Sequence, residues 1–288
     1  ITKIQLIMKT FLFKAVCISA AVLISLSGCN NASKKKMTTS DGKDAIVEVG
    51  VFDPVKMKDQ IVETINKFPS EKELVDLLND AGASYIYDLT LSTDLYPKML
   101  TQNQLALGSG MYLFDWIYSL NYKRNDKAAA FGQLLIDIRE KAGLKDKLTF
   151  NDNFYDRIQK NAENKDSVDI LVTNAINKIS QKLSEEENPL FYSLAAIGMN
   201  IEALHVSFQL AALATDNSKL LDLISRQKER VATLYSLLEL MSGDETIKPI
   251  YEDLKPINQA IQENEFINAD KLNELAPKIE ALRNKLIS

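Results

Sequence analysis

Residues 189–215 read PLFYSLAAIGMNIEALHVSFQLAALAT, and this stretch decides the fold. Asn188-Pro189 supplies an N-cap followed by proline at the first helical position. From Phe191 to Ala214 the sole residue charged at neutral pH is Glu202. A helix that is apolar on every side has to be buried, so a central helix with others packed around it is expected. At roughly 100° per residue, Gly198, Glu202, His205 and Gln209 share one side within about 60°. A polar stripe therefore runs along a buried helix.

Helical punctuation continues on both sides of this segment. Asp53-Pro54 opens a helix to about Lys67, Ser70 with Glu73 has the spacing of a capping box, and Gly82 lies just past that helix. Further helices are expected over 101–122, 126–142 (stopped by Gly143), 151–163, 166–186, 217–241 (stopped by Gly243), 244–265 and 268–287. The last has Leu272, Leu275, Ile279, Leu282 and Leu286 at alternating spacings of three and four, with Pro249, Pro256 and Pro277 nearby. A kinked terminal hairpin closing the core explains that stripe better than a dimer seam. No strand shows convincing alternation, Tyr85-Ile86-Tyr87 being the best and too short. Linkers are short and no fixed repeat period emerges. The expected fold is all-α, an irregular bundle of about ten helices packed as antiparallel hairpins.

The helix over 101–122 carries the second polar stripe. Gly108, Tyr112, Asp115, Ser119 and Tyr122 fall on one side, while Leu113, Trp116, Ile117 and Leu120 form the other. Tyr112, Asp115, Tyr122, Glu202, His205 and Gln209 are thus the candidate ligand site or buried polar network. In the network reading, Tyr112, Tyr122 and Gln209 satisfy Asp115, Glu202 and His205, because unpaired buried acids cost several kcal/mol. In the pocket reading, convergent polar groups in an apolar wall receive a small molecule.

Elimination narrows the chemistry further. Glu202-Ala203-Leu204-His205 has the Glu-x-x-His spacing of di-iron carboxylate sites, which need the motif twice, and His205 is the chain's single histidine. A mononuclear site would require Asp115, Glu202 and His205 to converge; no metal and no cofactor are expected. No Gly-x-Ser-x-Gly elbow is present, and Gly108-Ser109-Gly110 lacks both the Lys-Ser/Thr ending and the strand of a phosphate loop. No catalytic residue is assigned, and a non-enzymatic role is favoured over an enzymatic one.

The chain's 46% hydrophobic and 25% charged residues suit a folded domain. The first 28 residues stand apart, with three Lys and no Asp or Glu. Lys9 and Lys14 precede an apolar run from Ala15 to Leu26, too short for a permanent span of about 20 residues. Leu26-Ser27-Gly28-Cys29 follows. Residues 1–28 therefore read as a signal peptide whose functional start is Met8. Leu26-Ser27-Gly28-Cys29 resembles the lipobox of bacterial lipoproteins, which implies lipidation of Cys29, cleavage before it and acylation, palmitate included, of the new terminus. Cys17 leaves with the signal and Cys29 is consumed, which excludes thiol catalysis, iron–sulfur clusters and Cys-based zinc.

Residues 29–44 read as a flexible tether and 45–288 as a single helical domain. From Cys29 onward 31 Lys+Arg stand against 39 Asp+Glu, a net of −8, which argues against nucleic-acid binding. Residues 106–211 also resemble a group of uncharacterised helical envelope lipoproteins of Gram-negative bacteria. That resemblance rests on Leu107-Gly108-Ser109-Gly110-Met111-Tyr112, Asp115, Tyr118, the run 161–167 (NAENKDS), Gly198 and Glu202. Ser109 and Gly110 interrupt the group's Leu-Gly-Val-Tyr order, and His205 stands where an aromatic is commoner. The resemblance implies a class and a place, the bacterial cell envelope. The expectation for the chain is a lipid anchor in a bacterial membrane, with the outer membrane on its periplasmic side favoured and the choice of membrane and leaflet left open, and with another envelope protein or a small molecule as partner.

Overall fold

The computed structural model describes residues 53–144, 189–214 and 217–287, scattered positions between 157 and 174, and the backbone of two short strands. The signal segment, Cys29 and most of the helices expected at 151–163 and 166–186 lie outside the described residues. The chain divides into Ile1–Val49 and Gly50–Ser288. Within the first unit, β1 (Lys36–Thr38) pairs antiparallel with β2 (Asp44–Ile46), Met37 opposite Ala45. These strands fall in and beside the stretch read as a tether.

The second unit is an all-α multi-helix bundle. Its helices among the described residues are α1 (Lys58–Ile65), α2 (Glu71–Asp80), α3 (Gln102–Asn121), α4 (Asn125–Lys141), α5 (Pro189–Leu213), α6 (Ser218–Ser225), α7 (Lys228–Leu240), α8 (Ile247–Gln262) and α9 (Ala269–Lys285). Two 3₁₀ segments, Tyr87–Leu89 and Thr93–Lys98, join α2 to α3.

Local chemistry sets the boundaries. Thr101 and Gln104 form a reciprocal capping box at the start of α3. At α2 the Ser70 hydroxyl accepts from the Glu73 N–H at 3.3 Å. Asn268 caps α9 by accepting from Lys271 N–H at 2.9 Å. Gly82 and Gly143 follow α2 and α4 with φ of +88° and +73°, the left-handed stop that glycine adopts without a Cβ penalty.

Two expectations shift. Asp53 accepts from Val55 and Lys56 N–H groups, but closes a turn ahead of α1 rather than opening it. The single helix expected over 217–241 is two, because Gln227 N–H bonds back three residues to the Ile224 carbonyl at 2.9 Å and tightens the chain between α6 and α7.

α5 is the central helix. Its most apolar window is 83% buried inside the unit, although by length and composition it would also cross a membrane. Among the described residues the most extensive helix pairing joins α3 to α5, which are not neighbours in the chain, alongside the adjacent pairs α3–α4, α7–α8 and α8–α9. Antiparallel hairpins of chain neighbours therefore do not supply the principal contact. Glycines permit it: a methyl added to Gly110 would strike the Ala195 backbone carbonyl, and one on Gly198 the Leu107 carbonyl. The two backbones touch with no side chain between them.

Candidate functional site

Beyond that crossing, the polar stripe of α3 lies against Phe131 of α4 and near Glu202 and Arg283, yet most of its hydrogen bonds go elsewhere. It holds the irregular segment 84–92. Apart from the 3₁₀ turn Tyr87–Leu89, this segment has no regular pairing of its own, so its buried backbone donors and acceptors must be met by side chains. Leu89 and Leu91 are buried, and the groups around them are satisfied in turn. Tyr118 Oη accepts from Ile86 N–H at 3.0 Å and donates to the Ser84 carbonyl at 3.3 Å. Asp115 Oδ2 accepts from Leu91 N–H at 2.7 Å, and Tyr112 Oη donates to the Ser92 carbonyl at 2.8 Å. Tyr85 Oη lies 3.1 Å from Ser119 Oγ, and its ring stacks on Tyr118 with centroids 4.8 Å apart. The Leu89 backbone lies beside the His205 ring of α5. Segment 84–92 is thus a strap sewn to α3 and lying against α5.

The stripe of α5 is met from the other side by α9. Arg283 donates through Nε to Glu202 Oε2 and through Nη2 to Oε1, both at 2.9 Å, a bidentate pair on a fully buried carboxylate. Burial pushes the Glu202 carboxyl up and the guanidinium pulls it back, while the bidentate pairing favours the carboxylate form. Burial and the charge of Glu202 hold Asp115 well above the usual carboxylate range. Burial also lowers His205 to about 3, helped by Arg283, so its imidazole is neutral. Tyr112 and Tyr118 are pushed above the ordinary phenol value by burial, and Tyr122 reaches about 12.

The expected partners are therefore replaced. Tyr112 serves the strap rather than Glu202 or His205. Tyr122 packs edge-on against Tyr118, and its hydroxyl is buried without a hydrogen-bond partner. Gln209 sits at the surface and donates to Glu280 of α9 at 3.2 Å. Asp115, Glu202 and His205 are brought to one region of the core; Gln209 stays at its rim. Asp115 Oδ1 and His205 Nδ1 are likewise buried without a protein partner. No three His, Cys, Asp or Glu groups converge on a metal position among the described residues.

A second buried charge escapes sequence reasoning. Arg230 on α7 is fully buried and uses all its donors: Nε on Gln227 Oε1 (3.0 Å), Nη1 on Glu71 Oε1 (3.1 Å) and Asn200 Oδ1 (2.6 Å), Nη2 on the Pro69 and Ser70 carbonyls (2.9 and 3.4 Å). It ties α7 to α5 and to the start of α2. Its signal was available: Arg230 falls four and seven residues before Leu234 and Leu237, on the apolar stripe. Arg283, four residues after Ile279, flanks the α9 stripe in the same way.

Comparison with models of known families, with curated proteins and with solved structures finds no match to this chain.

Proposed function

We propose that the chain is a lipid-anchored protein of the bacterial cell envelope, held to the membrane at Cys29, whose helical unit binds or scaffolds other envelope components in the periplasm. The anchor rests on Leu26-Ser27-Gly28-Cys29 after a basic start and an apolar run. The scaffolding role is carried by one observation: the polar stripes of α3 and α5 are committed to the chain's own strap and to Arg283. Side chains committed in this way shape a rigid body rather than a reaction centre. Replacing Cys29 by Ser tests the anchor, since the variant should leave the membrane fraction; unchanged association refutes it. Crosslinking in intact cells followed by purification tests the scaffold, which requires a recurrent envelope partner.

A small-ligand receptor or enzyme is the second reading, favoured by the buried and unpartnered Asp115 Oδ1, His205 Nδ1 and Tyr122 Oη. A thermal-shift screen against metals and envelope metabolites separates the two. A shift present in the wild type and lost in the Glu202→Gln/His205→Phe double variant supports the receptor and sinks a purely structural cluster.

A further inference from the structure

Stacked tyrosines occur under the strap and in the hairpin of α7 and α8. Under the strap the hydroxyls are turned apart: Tyr118 Oη serves Ile86 and Ser84, Tyr85 Oη lies against Ser119 Oγ, and Tyr118 is fully buried. In the hairpin they meet. Tyr235 of α7 and Tyr251 of α8 stack with ring centroids 5.1 Å apart and planes inclined by 30°, and their hydroxyl oxygens are 2.8 Å from each other. Tyr251 Oη also donates to Glu239 Oε1 at 3.5 Å, so Tyr235 is the donor within the pair. A stack whose hydroxyl ends touch brings the ortho carbons of both rings to one shared edge. Both side chains are partly exposed, within reach of an oxidant in solution. No cysteine follows Cys29, so a disulfide cannot tie these helices.

We propose that Tyr235 and Tyr251 form an oxidative cross-linking site, at which hydrogen peroxide and a haem peroxidase couple the two rings through their ortho carbons and so staple α7 to α8. Each phenol first loses one electron and one proton. The paired tyrosyl radicals then join in one carbon–carbon bond, and the hydrogen on each bonded carbon moves to its ring oxygen, which restores both phenols. Peroxide takes up the two electrons and two protons as its oxygen–oxygen bond breaks, leaving two waters. Radicals formed in contact need no encounter between molecules, so the internal bond outruns links between copies of the chain. The bond joins residues 16 apart and fixes α7, whose Arg230 holds α5 and the start of α2.

Treating the whole chain in detergent with a haem peroxidase and equimolar hydrogen peroxide tests this, with N-acetyltyrosine in a parallel vessel to show that radicals form. The monomer should gain dityrosine fluorescence and lose two hydrogens in mass. Cleavage after glutamates should then release 230–239 covalently joined to 246–252. Tyr235→Phe and Tyr251→Phe each keep a ring in the stack and remove one phenol, and in both the joined peptides should vanish, so one variant reports if the other does not fold. Absence of the joined peptides while N-acetyltyrosine couples overturns the proposal. So does their survival in either folded variant, or a monomer whose principal cross-link lies elsewhere, Tyr85 with Tyr118 included.

Discussion

Replacing Arg283 by Met strands Glu202 in the core. The guanidinium meets both carboxylate oxygens at 2.9 Å, and the Glu202 side chain has no exposed surface. Removing one partner of a buried ion pair commonly costs about 3–5 kcal/mol, because the other charge is left without compensation. The chain has one escape, which is to protonate Glu202 from solvent. Starting from the ordinary value of 4.5, neutralisation at pH 7 costs about 3.5 kcal/mol at 1.36 kcal/mol per unit. That figure caps the charge penalty, with about 1 kcal/mol more for lost hydrogen bonds. At pH 5 the same neutralisation costs only about 0.7 kcal/mol. A stranded Glu202 has a raised value in the folded state, so the variant's deficit grows as pH rises through the range above 4.5. Urea unfolding at the two pH values reads it directly. The deficit should be about 3–5 kcal/mol at pH 7 and about 1–2 at pH 5, with a melting point lowered by roughly 7–15 °C at the higher pH. In Arg283→Met/Glu202→Gln most of the deficit and its pH dependence should disappear. A loss below about 1 kcal/mol at pH 7, or an equal loss at both values, would refute the assignment of an ionised Glu202 held by Arg283.

Four further outcomes follow from the structure. Gly198→Ala should destabilise by about 1–3 kcal/mol or more in denaturant unfolding, because the methyl meets the Leu107 backbone, which has no rotamer to yield. Gly82→Ala has open space around it and should cost only the left-handed conformation, about 1–2 kcal/mol; a larger loss there than at Gly198 would reverse the argument. Arg230→Met strips Glu71 of its ion pair and Asn200 Oδ1 of its donor and should cost about 3–5 kcal/mol, much of it recovered by adding Glu71→Leu, as a double-mutant cycle would show. Burial holds His205 to about 3 while the unfolded chain keeps 6.5, so its share of stability is present above 6.5 and lost as pH falls toward 3. His205→Phe should flatten that acid limb by up to roughly 5 kcal/mol, measured as stability against pH; an unchanged limb would show that the imidazole is not held neutral.

Much of the fold is legible without coordinates. The α3 start follows from Thr101 and Gln104, α5 begins at the proline expected to open it, and the burial of α5 follows from its lack of charge. Those signals are local, arising within a turn or two of the residue that carries them. The break between α6 and α7 is not legible, since no Gly or Pro marks it and the preceding helical pattern continues through Arg226 and Gln227. Periodicity likewise places Tyr112, Asp115, Glu202 and His205 on inward-facing stripes, but says nothing of what lies opposite.

What the sequence by itself determined is which faces turn inward: the helical class, the central helix and the two polar stripes all follow from spacing along one chain segment. What only the tertiary structure decided is what those stripes meet. Tyr112, Asp115 and Tyr118 bind the backbone of a strap some 20 to 35 residues earlier, and Glu202 an arginine 81 residues later. Partner choice across such separations is set by the approach of α3 to α5 at Gly110 and Gly198, and by the demand that every buried donor and charge be met. Neither condition has a period, so neither is written in any one helix.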